Sequence, residues 1–138
     1  MNHIFLMAMV FAAWLGLSAC GGAGCALRVA ARDALVRRGT HPWWSTCLVN
    51  LSGAMAMGLV SGAAAATDPV LGPMAATACA GLLAGWTTYS AFAMDVVQLW
   101  WRGDRARAAA IWMATMLGCP MLAWVGAWAV RAAIGGGS

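Results

Sequence analysis

The stretch Gly81-Leu82-Leu83-Ala84-Gly85-Trp86-Thr87-Thr88-Tyr89-Ser90-Ala91-Phe92-Ala93-Met94-Asp95 begins as apolar helix, turns polar at two adjacent threonines, and then becomes apolar again. Thr87-Thr88 beside Gly85 tolerates a helix break, and a break frees backbone carbonyls. At membrane depth, non-helical backbone survives only when it is buried in protein or lines a cavity. Up to Met94 this segment sits inside a charge-free run of 26 residues, Pro69–Met94, which Asp95 ends. Apart from two His, three further runs lack charge: Met1–Leu27 (27 residues), Gly39–Thr67 (29) and Ala108–Val130 (23). Each exceeds the roughly 20 residues with which a helix crosses about 30 Å of hydrocarbon.

The composition agrees. Of 138 residues, 63% are hydrophobic, and the charged set is eight Arg, no Lys, four Asp and no Glu. A soluble domain carries about a quarter charged residues, so this chain cannot clothe a water-facing surface. The apolar runs are continuous and do not alternate with a period of two, which argues against a membrane β-barrel. The expectation is an all-α integral membrane protein with one four-helix transmembrane domain over residues 1–134. Its spans fall at about 4–28, 44–64, 74–101 and 106–130, the third broken, and residues 135–138 form a flexible tail.

Local signals mark the connections. The first span can continue as a surface helix over Ala30–Val36, until Gly39-Thr40-His41-Pro42 turns the chain. Thr67-Asp68-Pro69 and Gly72-Pro73 mark a loop, Arg102-Gly103-Asp104-Arg105 another turn, and Pro120 predicts a kink in the last span. Leu17-Ser18-Ala19-Cys20 is similar to a lipoprotein processing site, yet no Lys or Arg precedes it, so the stretch is read as helix. Gly16, Ala19, Gly21, Gly22 and Gly24 instead suit close helix packing.

Arg placement orients the chain. The 1–2 and 3–4 connections lie on one side and hold Arg28, Arg32, Arg37, Arg38, Arg102, Arg105 and Arg107, whereas the other side holds Arg131 alone. The positive-inside rule puts the seven in the cytoplasm and both termini outside. Trp43-Trp44 and Trp100-Trp101 fall at the same boundary, where interfacial aromatics belong.

Little in the chain supports enzymatic chemistry. There is no HExxH, no phosphate loop and no nucleophilic triad, and nothing points to nucleic acid. Cys20, Cys25, Cys47, Cys79 and Cys119 stand singly and read as small buried hydrophobes, without the spacing of a metal site. The remaining candidates are polar residues inside lipid: Asn50 and Ser52, then Thr87, Thr88, Ser90 and Asp95, then Thr115. A lone hydroxyl can bond back to its own helix. A carboxamide offers two donors and two acceptor sites that one helix cannot satisfy, so Asn50 calls for a partner elsewhere or a function. Tyr89, Phe92 and Asp95 share one helix face.

Three blocks together resemble the signatures of the CrcB/Fluc fluoride channels: Gly21-Gly22-Ala23-Gly24-Cys25-Ala26-Leu27-Arg28, Thr46-Cys47-Leu48-Val49-Asn50-Leu51-Ser52-Gly53, and Gly85 through Asp95. The resemblance runs in order along the whole chain. It implies a passive, fluoride-selective channel of the bacterial inner membrane, assembled as an antiparallel dimer with two ion pathways. Tyr89 and Phe92 fall where that family presents two Phe ring edges to the anion. An aromatic edge is electropositive, which fits the role. Asn50, Ser90 and Thr115 would supply donors along the pathway, and Arg28 would draw anions into the vestibule. A structural sodium ion at the dimer centre would rest on the backbone carbonyls of Ala84 and Thr87. The chain departs from the family with Tyr89 for Phe, Ala91 for Thr, Asp95 for Glu and Ala84 for Gly.

The seven-to-one Arg bias bears on assembly, because an antiparallel homodimer needs one sequence to insert both ways. The alternatives are a dual-topology homodimer and a fixed subunit paired with an oppositely oriented homologue, including a non-conducting partner subunit. A proton-coupled multidrug exporter of four helices is a competing function, but the first span lacks the carboxylate it would need. A small-residue assembly subunit using Gly58-x-x-x-Gly62 and Gly81-x-x-x-Gly85 leaves Thr87–Ser90 unexplained.

Overall fold

A computed structural model describes residues 3–64 and 71–135, apart from the side chains of Leu6 and residues 71–74. The described chain is all α-helix and loop, in five helices: α1 (His3–Arg37), α2 (Pro42–Ala64), α3 (Leu71–Trp86), α4 (Tyr89–Trp101) and α5 (Arg105–Gly135). Among them α1, α2 and α5 are each long and apolar enough to cross a membrane. α3 and α4 have 16 and 13 residues and separately fall short of a crossing.

The expected surface extension of the first span is one continuous helix with it. At 35 residues α1 is about 52 Å long, so it carries Arg32 and Arg37 well beyond the apolar segment. Pro120 lies within α5 without interrupting it. Gly135 still belongs to α5, which corrects the expected start of the tail; residues 136–138 lie outside the described residues, as does the Thr67-Asp68-Pro69 part of the expected loop.

Two arginine-bearing turns are built alike. After α1, Gly39 takes φ 90°, its N–H donates to the Val36 carbonyl at 2.9 Å, and the Thr40 N–H donates to the Leu35 carbonyl at 3.1 Å. After α4, Gly103 takes φ 81°, and the Gly103 and Asp104 amides donate to the Trp100 and Leu99 carbonyls, both at 3.0 Å. This double closure uses a left-handed residue that Gly adopts without a Cβ penalty. The next helix then starts at once. Pro42 opens α2, where a missing N–H costs nothing, and Asp104 caps α5 by accepting the Arg107 N–H at 3.2 Å. An ion pair of 3.0 Å between Asp104 and Arg107 reinforces that start.

Between apolar helices in lipid, association rests on close packing and hydrogen bonds, since lipid tails are as apolar as the side chains. α2 packs chiefly on α5 and α1 on α3. Both seams are lined by small residues. Gly58 abuts the backbone of Ala123, and Gly126 lies so close to α2 that a Cβ there would sit 2.7 Å from the Met55 carbonyl oxygen. Across the other seam Gly85 faces the Gly21 carbonyl and Gly24 faces that of Leu82. Phe92, Leu99, Ala108 and Ile111 form a small buried core joining α4 to α5. Trp14, Trp101, Trp124 and Trp128 instead point outward.

Replacing Gly126 with Val forces the α2–α5 seam apart. The expected cost is about 1–3 kcal/mol, the range for overpacking, read as a lower melting temperature in detergent. An unchanged melting temperature would refute close backbone approach at this seam.

Candidate functional site

The site is organised by the break between α3 and α4. The Thr87 N–H still donates to the Leu83 carbonyl at 3.0 Å, and the Thr87 hydroxyl donates to the same oxygen at 3.1 Å. Thr88 is extended, with φ −151° and ψ 118°, and its hydroxyl caps α4 by accepting the Ala91 N–H at 3.3 Å. Asn50 of α2 holds the Thr88 backbone at two points. The Thr88 N–H donates to Asn50 Oδ1 at 2.8 Å, and Asn50 Nδ2 donates to the Thr88 carbonyl at 3.0 Å. Only 5% of Asn50 is exposed. Its carboxamide therefore has the interhelical partner that its donors and acceptors demand.

Neighbouring groups fix the rest of the break. The Trp86 indole N–H donates to the Val49 carbonyl at 2.9 Å and lies 3.1 Å from Ser52 Oγ, while the Ser52 hydroxyl donates to the same Val49 carbonyl at 2.8 Å. Arg28 Nε donates to the Gly85 carbonyl at 3.3 Å. In an unbroken helix the carbonyls of Ala84, Gly85 and Thr87 would receive the amides of Thr88, Tyr89 and Ala91. Here Asn50 takes the first of those amides and the Thr88 hydroxyl takes the third, and a guanidinium reaches the Gly85 carbonyl.

A cleft of about 380 Å³ opens beside the break, lined in part by Asn50, Thr87, Thr88, Tyr89, Phe92 and Thr115. The rings of Tyr89 and Phe92 lie 5.6 Å apart at 59°, one turn apart on α4. Phe92 is 3% exposed, whereas Tyr89 is 72% exposed on the outer side. Thr115 is buried on α5, and its hydroxyl lies 3.5 Å from Cys47 Sγ on α2. The cleft wall thus combines a carboxamide, hydroxyls and aromatic rings, all without charge. Such a lining offers N–H and O–H donors and ring edges to a small anion while keeping the surroundings apolar.

A second cavity of about 260 Å³ lies toward the arginine-bearing turns, and Arg28, Arg32, Arg102, Trp43 and Asp95 are among its lining residues. Thr88 lines both cavities. Of the residues singled out from sequence, Asn50, Thr87, Tyr89, Phe92 and Thr115 thus share one cleft. Arg28 belongs to the second cavity. Ser90 is exposed and lines neither; its hydroxyl lies 3.3 Å from that of Thr88. Ala84 is exposed on α3. Among the described residues no cluster of three His, Cys, Asp or Glu side chains stands ready for a metal.

Sequence reasoning gave Trp86 no role and read all five cysteines as small buried hydrophobes, which holds for Cys47 but not for the exposed Cys25 and Cys79, and it missed the contact of Cys47 with Thr115. The available signal for Trp86 was physical: an indole N–H at membrane depth needs an acceptor, and a helix end nearby exposes carbonyls. No comparable signal marks the contact of Cys47 with Thr115.

Asn50→Ala removes both hydrogen bonds to Thr88 and leaves a buried amide and carbonyl unpaired. At about 1–3 kcal/mol for each stranded group, the variant is expected to melt well below the parent in detergent. Equal melting of Asn50→Ala and the parent would show that the clamp does not hold the break.

The family model described as "CrcB-like protein, Camphor Resistance (CrcB)" matches residues 6–127. A protein named fluoride-specific ion channel FluC from Chelativorans sp. (strain BNC1) is 39% identical over 93 residues, covering 67% of this chain and 74% of the relative. Fluoride-specific ion channel FluC 2 of Nitrobacter hamburgensis is 38% identical over 90 residues, 64% of this chain and 73% of the relative. The FluC protein of Rhodospirillum centenum is 36% identical over 104 residues, 75% and 82% respectively. No solved structure matches significantly. From the family match along most of its length and its long apolar helices, the chain belongs to the CrcB/FluC fluoride channel family, as a multi-pass protein of the bacterial inner membrane and a channel protein, not an enzyme.

Proposed function

We propose that this chain conducts fluoride passively out of the cytoplasm, relieving fluoride toxicity, along the cleft beside the α3–α4 break. The observation that carries the reading is the junction at Thr88, where an arginine-bearing cavity meets a charge-free cleft. Guanidinium groups concentrate anions at the entrance. Beyond Thr88 an anion loses bulk water, and only groups already fixed in place can replace its hydration. Asn50, Thr115 and the edges of Tyr89 and Phe92 are those groups. Ser90 takes part from the outer surface, where a second subunit would meet it.

Residues 71–101 together form the third crossing, interrupted at Thr87-Thr88. Its two halves assemble with those of an antiparallel partner. The freed carbonyls of Ala84 and Thr87 suit a hard cation such as sodium, which favours oxygen ligands. One chain supplies too few such oxygens for a full shell, so a sodium ion would sit where two chains meet. The partner is either a second copy or an oppositely oriented homologue; the seven-to-one Arg bias favours the homologue.

Purified protein in liposomes is expected to release fluoride and retain chloride. Phe92→Ile, which replaces the polarised ring edge with alkyl hydrogens, should slow fluoride efflux at least tenfold, equivalent to about 1.4 kcal/mol in the barrier. Tyr89→Ile should slow it by less, given the exposure of that ring. Fluoride efflux at parental rate from Phe92→Ile would overturn the proposed pathway. For assembly, terminal tags on the chain expressed alone are expected to lie on one face of the membrane; equal numbers on both faces would establish dual topology.

A further inference from the structure

The turn from α4 to α5, Arg102-Gly103-Asp104-Arg105-Ala106-Arg107, sets three Arg against one Asp. That carboxylate is already committed. One Asp104 oxygen pairs with the Arg107 guanidinium at 3.0 Å and the other accepts the Arg107 N–H. Among the described residues no ion pair neutralises Arg105. Its guanidinium instead lies over the Trp100 ring, 5.1 Å from the ring centre, within reach of a cation–π contact. A guanidinium held over a ring is fixed in place and still has N–H groups free for the oxygens of a second partner.

The same turn stands at the end of an apolar helix. Trp100 and Trp101 close α4 and are 53% and 80% exposed. Cations follow them directly, which places both rings at the level of lipid headgroups, where indoles concentrate. Water solvates a guanidinium but neutralises no charge, and a soluble anion leaves Trp101 bare. A phospholipid meets both features at once, with its phosphate against Arg105 and its glycerol and upper acyl carbons against the indoles. The sign of the turn then selects among lipids. A zwitterionic headgroup brings its own ammonium up to the arginines, whereas an anionic one brings no such repulsion.

We propose that Arg105, held over Trp100 and flanked by Trp101, forms a binding site for the headgroup of an anionic phospholipid such as phosphatidylglycerol, in the leaflet that faces the arginine-bearing turns. Arg102 adds a second cation from the same turn. Arg37 and Arg38 after α1 are exposed too, yet among the described residues no aromatic ring holds either guanidinium. They attract an anionic surface diffusely and give the comparison for the test. The site stands whether or not the chain conducts fluoride.

Native mass spectrometry of the purified full chain, titrated in detergent with phosphatidylglycerol or with phosphatidylcholine of the same acyl chains, tests the site directly. Phosphatidylglycerol is expected to bind saturably and at least fivefold tighter, with the preference shrinking as ionic strength rises. Arg105→Gln should weaken phosphatidylglycerol at least threefold and leave phosphatidylcholine unchanged, whereas Arg37→Gln, which removes an equal charge from the other turn, should stay within about 1.5-fold of the parent. Trp100→Leu should weaken phosphatidylglycerol as Arg105→Gln does, and Trp100→Phe should restore it. Circular dichroism establishes that each variant is folded; should Trp100→Leu not fold, Arg105→Gln against Arg37→Gln decides. Equal affinity for the two lipids overturns the proposal. Equal losses in Arg105→Gln and Arg37→Gln overturn it as well, because the attraction is then to net charge alone. Glycerol 3-phosphate at tenfold excess is expected to leave the lipid bound; its displacement would make the ligand a soluble anion and overturn the assignment to a lipid.

Discussion

A break in a helix at membrane depth is tolerable only if every freed backbone group finds a partner within the protein. In this chain the two-point clamp of Asn50 meets that condition for the amide and carbonyl of Thr88, and the arrangement of the remaining elements follows from it. The clamp needs α2 beside the break, which requires the small-residue approach of α2 to its neighbours. Gly53 shows the same requirement on the α3 side, since a Cβ there would press on the side chains of Thr87 and Trp86. The Trp86 indole then fastens the end of α3 to Val49, one residue before the clamp. Consecutive residues of α2 thus hold both sides of the break.

The clamp also explains why the site combines opening with order. Asn50 takes the amide of Thr88, Thr88 takes the amide of Ala91, and each substitution turns a helical hydrogen bond into a side-chain one. The chain bends while the Thr88 and Ala91 amides keep partners, and space remains beside it. Arg28 completes the pattern from α1 by reaching the Gly85 carbonyl, near the negative end of the α3 dipole. One arginine thereby both stabilises the C-terminal end of α3 and lines the cavity on the charged side.

Much of this was legible in the sequence because the determinants are local. Charge-free runs gave the long helices, Gly39 and Gly103 the turns, and the paired threonines the break. Asn50 stood out because a carboxamide in lipid carries more hydrogen-bonding capacity than its own helix can absorb. Other features escaped because they depend on which distant residues meet. Val49 and Trp86 are 37 residues apart, Cys47 and Thr115 are 68 apart, and neither pair has a pattern that announces it. The division of the polar residues between two cavities was equally hidden, since helical spacing groups Asp95 with Tyr89 and Phe92 while the cavities separate them.

That separation has a physical logic. Asp95 and the three arginines line the second cavity, toward the arginine-bearing turns, where charge costs less than at membrane depth. The side chains named in the deeper cleft are uncharged. A fixed cation there would hold a small anion too tightly to release it, and a fixed carboxylate would repel it. Neutral donors of moderate strength avoid both extremes, but only if they are held in position before the ion arrives. Burial holds Phe92 and Thr115, and hydrogen bonds hold Asn50 and Thr88. Tyr89 is the exception, its ring largely exposed on the outer face of α4. On the proposed pathway, a ring edge so exposed in the single chain would become ordered only when another helix covers it, and conduction would then depend on assembly.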